Sequence, residues 1–120
     1  MEWVNLTPHE IALYHLDGVT YIPPSGVVAR VAIQQSAPRV NMLGMNMLGM
    51  KVQRFPQYGA VESLPPPTYG VVYLVSAMVL ARCVGRFDVF APATGPDDGA
   101  IRQNGQVVGV TMLIAAPTGC

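Results

Sequence analysis

Charge is scarce in this chain. Seven basic and seven acidic side chains make up only 12% of 120 residues, and the net charge is zero. An ordinary soluble domain carries about twice that share. So few cations exclude general nucleic-acid binding, which needs many phosphate-neutralising groups. They equally exclude an electrostatic membrane anchor. A surface this weakly charged does little to oppose self-association, so a homo-oligomer is expected. Cysteine is scarcer still, with Cys83 and Cys120 alone. Two cysteines do not make a disulfide scaffold, and they suit a reduced, cytoplasmic protein. Met1-Glu2-Trp3-Val4-Asn5 lacks the basic start and apolar run of a signal peptide, and none is expected. No apolar run is long enough to span a membrane.

Catalytic and cofactor motifs are missing as well. No glycine-rich loop with a Walker-type lysine is present, so a P-loop is excluded. No paired carboxylates are spaced for acid–base work. His9 and His15 stand without nearby cysteines or carboxylate pairs, so no metal is expected. No cofactor and no catalytic residue is expected either. A trio of Ser76, His9 and Asp88 can be written down, but it lacks the Gly-x-Ser-x-Gly setting. A βαβ alternation is not visible, which argues against a doubly wound parallel sheet.

What is present is apolar and heavily punctuated. Apolar residues make up 51%, enough for one core in one domain over residues 1–120. Eleven prolines and twelve glycines favour short strands. Strands are expected over 2–6, 11–16, 19–22, 27–34 and 59–62. Asp17-Gly18 marks a hairpin between the second and third. Lys51 to Arg54 suggests a further strand, and Pro65-Pro66-Pro67 a stiff extended segment. Asn104-Gly105, a favoured type I′ turn, predicts a last hairpin running from 100 to 114. The tail, 115–120, is expected to fray. Asn41-Met42-Leu43-Gly44-Met45 repeats at once over 46–50, placing four of the seven methionines in ten residues. Methionine suits adaptable surfaces. The repeat reads as a local duplication in a tolerant loop, or as a lid or oligomer contact.

The most legible stretch is Gly70 to Asp88. Val71 to Val75 is an apolar, β-branched run of the kind buried on both faces of a sheet. Ser76 stands where a helix could start, 77–84 is the predicted helix, and Gly85 its stop. Arg86 to Phe90 resumes a strand-like alternation. The sum is a mainly β (α+β) fold of seven to nine short strands with one short helix. Its architecture is a small twisted antiparallel or mixed sheet, or a partly closed barrel.

Six polar residues are candidates for a ligand site. Ser76 would cap the helix or, with the free N–H groups beside it, meet an anion. Arg86 and Asp88 would share one strand face. They would take phosphate and ribose hydroxyls, or simply pair with each other. A helix between Ser76 and Arg86 would hold them roughly 15 Å apart. His9 and Thr7 occupy a turn, where function concentrates. Arg30 is the lone charge in its strand and reads as an outward-facing, solvated side chain.

These residues also fall within a series of motif words. They are Asn5-Leu6-Thr7-Pro8-His9; Pro24-Ser25-Gly26 with Ala29-Arg30-Val31; Leu64-Pro65 with Gly70, Tyr73, Val75 and Ser76; and then Arg86, Asp88 and Pro92. The series resembles a family of small bacteriophage and bacterial proteins that open with an NLTPH motif. The resemblance runs from about Val4 to Val110, and the repeat at 41–50 is not part of the pattern. By analogy of class, it implies a phage anti-defence sponge. Such proteins are oligomeric, β-rich and acting in the host cytoplasm, and they sequester a nucleotide-derived signal without cleaving it. The signal would be a cyclic ADP-ribose isomer or a cyclic nucleotide. Thr7, His9, Arg30, Ser76, Arg86 and Asp88 would then hold the small nucleotide-like ligand. A structural or accessory phage protein, and a small nucleotide-processing enzyme, are the other readings.

Overall fold

The computed structural model describes residues 1–34 and 57–118. The methionine-rich repeat and the strand expected over 51–54 lie outside them. The described residues form a mainly β fold of ten short strands and one short helix, with none of the sheets closed into a barrel. In chain order the strands are β1 Glu2–Asn5, β2 Ile11–His15, β3 Gly18–Ile22, β4 Arg30–Gln34, β5 Gln57–Glu62 and β6 Val71–Leu74. The helix α1, Ala77–Leu80, comes next. β7 Val89–Pro92, β8 Ile101–Gln103, β9 Gln106–Gly109 and β10 Leu113–Ala115 follow it.

The centre is a four-stranded sheet in the order β1-β6-β7-β10. β1 pairs with β6, and β6 with β7, in parallel, while β10 runs antiparallel to β7. One β–α–β crossing, β6-α1-β7, therefore does exist, contrary to the sequence expectation. Its helix is a single turn, too short to leave a 3.6-residue apolar period in the sequence. The helix expected over 77–84 stops at Leu80 for a related reason. Arg82 N–H donates to the Val79 carbonyl and Cys83 N–H to that of Leu80, tightening the chain into three-residue turns. This puts Cys83 into the core at 3% exposure. Gly85, at φ 81°, completes the reversal. Residues 86–88 are correspondingly not strand, and β7 begins only at Val89.

The sheet is covered on both faces, as the apolar run of β6 requires. Tyr73, Val75, Val89 and Ala91 pack with Leu6, Ala29, Val31, Val79, Leu80 and Cys83 on one face. Leu74, with Trp3 and Phe90, packs with Ile11, Ile22 and Val110 on the other. Leu74, Val75 and Val89 are fully buried. Each such side chain is worth about 1.5–3 kcal/mol of burial.

The β2–β3 and β8–β9 hairpins lie over the second face. Their turns follow local sequence. His15 pairs with Gly18 across a two-residue turn. Asn104 and Gly105 have φ of 54° and 80°, the left-handed pair that a type I′ turn demands. The hairpins join where Tyr14 N–H donates to the Val110 carbonyl and Val110 N–H donates to that of Ala12. Gly109 makes the join possible, because a side chain there would overlap the Tyr14 ring. The strand expected to run to 114 breaks after Gly109, and β10 leaves the hairpin to join the central sheet. Beyond it, the Pro117 carbonyl accepts from Gly85 N–H. No helix among the described residues is long and apolar enough to cross a membrane.

Candidate binding site

β1, β6 and β7 are parallel, so their carboxyl ends open on one edge of the sheet. Three segments leave there: Leu6 to Glu10 after β1, Val75 to Ala77 after β6, and Ala93 to Thr94 after β7. Crevices outside the carboxyl ends of parallel strands are the usual ligand positions in such sheets. A cavity of about 320 Å³ lies at this edge. Val75, Ala77, Ile11 and Ala12 give it apolar walls, Val107 to Val110 of the β8–β9 hairpin close one side, and His9, Glu10, Ser76 and Thr94 supply polar groups.

The loop after β1 is built around one buried side chain. Asn5 is 1% exposed. Its Nδ2 donates to the carbonyls of His9 and Ile22, at 2.8 and 2.9 Å. Its Oδ1 accepts from the Thr7 N–H at 2.9 Å and lies 2.6 Å from the Thr7 hydroxyl. That hydroxyl is also 3.0 Å from the His9 carbonyl. All of Asn5's polar capacity is thus spent on holding the turn. Thr7 braces the same turn, and the exposed His9 ring is left at the cavity wall. Ser76 stands across from it. Its Oγ accepts the Val79 N–H at 3.4 Å, which makes it the N-cap of α1.

Three of the six candidates, Thr7, His9 and Ser76, are therefore gathered at one cavity. The other three stand elsewhere. Arg30 is exposed at the start of β4, in register with Glu62. Arg86 and Asp88 precede the amino end of β7, while Ser76 follows the carboxyl end of β6. With Leu74 in register with Phe90, the two levels are four residues apart along the strands, roughly 13 Å. The Ser76–His9–Asp88 trio is thus spread over opposite ends of the sheet.

Arg86 and Asp88 hold each other. Arg86 Nε donates to Asp88 Oδ1 at 2.9 Å and Nη2 to Oδ2 at 3.0 Å, a two-pronged fork. Nη2 also donates to the Pro65 carbonyl at 3.0 Å, tying the triple-proline segment to the start of β7. The hydrogen bond from Arg86 holds the Asp88 carboxyl below its usual range, and Asp88 in turn raises the guanidinium's. Nearby, burial pushes the Cys83 thiol up, Arg86 opposes this and Asp88 adds to it. The Cys83 Sγ donates to the Val79 carbonyl at 3.2 Å.

Sequence reasoning passed over three residues that shape the cavity. Asn5 reads as a strand end, and only its burial reveals the hub. Glu10 reads as part of a turn, yet it lines the wall. Arg102 reads as one charge in a hairpin. Its Nη2 donates to the carbonyl of Thr94, a lining residue, at 2.9 Å. No family model, no curated protein and no solved structure matches this chain.

Proposed function

We propose that this chain is a phage-encoded, non-catalytic binding protein of the bacterial cytoplasm. It sequesters a small nucleotide-derived signal, of the cyclic ADP-ribose or cyclic nucleotide class, in the cavity at the carboxyl ends of β1, β6 and β7. The observation that carries this reading is the makeup of that cavity. Apolar walls suit the faces of a base, and the polar groups of His9, Glu10, Ser76 and Thr94 suit its edges and the ribose hydroxyls. Holding rather than cleaving is supported by how the reactive types are used. Ser76 caps a helix, Thr7 is tied to Asn5, and Asp88 is bound to Arg86 at the other end of the strands.

A homo-oligomer belongs to the same proposal. Tyr69 and Phe87 are 103% and 83% exposed beside Met1, around a depression at the amino ends of β6 and β7. The two rings present on the order of 300–400 Å², close to half of what one partner contributes to a standard interface. A second copy of this chain is the occupant that the uncharged surface favours.

The test is calorimetric titration with cyclic ADP-ribose isomers and cyclic dinucleotides, followed by recovery of the ligand. Binding with intact ligand is expected from wild type and none from Val108→Trp, which fills the cavity from a half-exposed position on β9. Turnover of the ligand would make the chain an enzyme. Absence of binding across the panel would leave the structural or accessory reading. Light scattering of wild type and Phe87→Asp reads the oligomer, which the substitution is expected to dissociate.

A further inference from the structure

We infer that Arg102 is the anion-recognising residue of this cavity, and that the ligand presents a phosphoryl group at the Thr94 edge. The inference rests on the binding reading above and adds the direction in which the ligand lies. Three observations converge on it.

The first is register. Arg102 stands opposite Val107 in the β8–β9 hairpin. Directly opposed residues of an antiparallel pair project to the same face, and Val107 lines the cavity. The pairing of Arg102 with Val107 is the regular one for a two-residue turn in which Gln103 opposes Gln106, and the shift in register falls beyond it, placing Ile101 opposite Gly109. The guanidinium stands beside the residues that line the cavity, held to Thr94 of that lining.

The second is anchorage. The bond from Nη2 to the Thr94 carbonyl, at 2.9 Å, fixes the guanidinium at the rim. One of its five N–H groups is used there. Among the described residues no carboxylate is found in an ion pair with Arg102. An exposed guanidinium fastened at a rim, with donors to spare and no counter-charge, is arranged for an incoming anion.

The third is polarity across the cavity. His9 and Glu10 follow β1, Ser76 follows β6 and Thr94 follows β7. Two strand spacings separate the outer flanks, about 10 Å. The Glu10 carboxylate stands on the β1 side and repels an anion there, while it accepts from amines and hydroxyls. The Arg102 guanidinium stands on the β7 side. A nucleoside phosphate laid across the sheet edge, base or ribose toward Glu10 and phosphate toward Arg102, satisfies both ends.

The experiment compares AMP with adenosine, by calorimetry at low salt, on wild type, Arg102→Gln, Arg30→Gln and Val108→Trp. Wild type is expected to bind AMP about tenfold more tightly than adenosine, the worth of one charge-assisted contact. Arg102→Gln is expected to lose that preference and keep its adenosine affinity. Arg30→Gln, on a remote strand, is expected to keep both. An AMP preference that survives Arg102→Gln, or equal binding of the two probes by wild type, overturns the inference and leaves the cavity reading standing. Binding of both probes that persists in Val108→Trp overturns the cavity reading and the inference with it. So does the absence of binding by either probe.

Discussion

Replacing Arg86 by alanine separates a structural clamp from a ligand contact. The Asp88 side chain is 6% exposed and that of Arg86 20%. Removing one partner of a buried pair costs about 3–5 kcal/mol, because the other charge is stranded without water. Arg86→Ala strands the more buried group and also leaves the Pro65 carbonyl without its donor, so a loss of about 3 kcal/mol is expected. Asp88→Asn strands the better-hydrated group, and the new amide oxygen still accepts one of the two bonds. Its cost is expected near 1.5 kcal/mol. The order of the two substitutions is thus set by exposure and by the bonds that each leaves behind. Urea unfolding at pH 7 reads both, and a loss of 3 kcal/mol moves the midpoint by about 2 M for a typical slope. The pH dependence supplies a second reading. Asp88's carboxyl is held lower in the folded chain than in the unfolded one. Its contribution is therefore full above the unfolded carboxylate range, near pH 4, and is lost as pH falls through the lowered folded value. The gap between wild type and Asp88→Asn is expected to narrow in that window. Neither substitution touches the cavity, so the folded variants are expected to bind ligand as wild type does. Asp88→Asn proving costlier than Arg86→Ala, or a gap unchanged by acid, would refute the reasoning.

Other perturbations test the cavity's frame. Asn5→Ala removes the four bonds that hold the 6–10 loop and tie it to β3, so about 3 kcal/mol is expected to go; hydrogen exchange should show faster exchange at Thr7. Gly109→Ala drives a methyl into the Tyr14 ring and is expected to cost about 1–3 kcal/mol in urea unfolding, with part recovered when Tyr14→Leu is added. Ser76→Ala removes a long cap bond from a single turn that is already held by its buried Val79 and Leu80, so its thermal midpoint should fall by the equivalent of about 0.5–1 kcal/mol, and Ser76→Asp should restore it.

What was legible in the sequence was local. Asn104-Gly105 announces its hairpin because turn chemistry resides in two adjacent residues, and Asp17-Gly18 announces the other although the turn itself is Leu16-Asp17 and Gly18 already belongs to β3. Val71 to Val75 announces a strand buried on both faces because every second residue must suit a different core. The parallel pairing of β1 with β6 is not announced anywhere. Nothing in Glu2 to Asn5 specifies a partner sixty-nine positions on, and the crossing that orders β6 beside β7 runs through a helix of four residues. The cavity inherits this limit. Thr7, His9 and Ser76 meet because two parallel strands end together, which is a property of the pairing and not of the motif words. Arg102 was hidden because its bond to Thr94 joins a hairpin to a loop that no local pattern pairs with it.

Arg86 and Asp88 show why residue type is a poor guide to role in a chain with so few charges. A guanidinium and a carboxylate two positions apart suit a nucleotide, and they suit each other equally well. Chemistry does not separate the two uses, but saturation does. In Arg86, Nε and Nη2 are taken by Asp88 and a backbone carbonyl, and the carboxylate they hold is buried. An incoming phosphate would have to displace a carboxylate already held at 2.9 and 3.0 Å and leave it buried and unpaired, at a cost of several kcal/mol that one phosphate contact does not offset. In Arg102 a single bond to Thr94 sets the direction and leaves the remaining donors open. Two arginines of one chain thus divide the work. The ion-paired one locks the amino end of β7 to the segment before β6, and the exposed one is held ready beside the segment that leaves β7's other end.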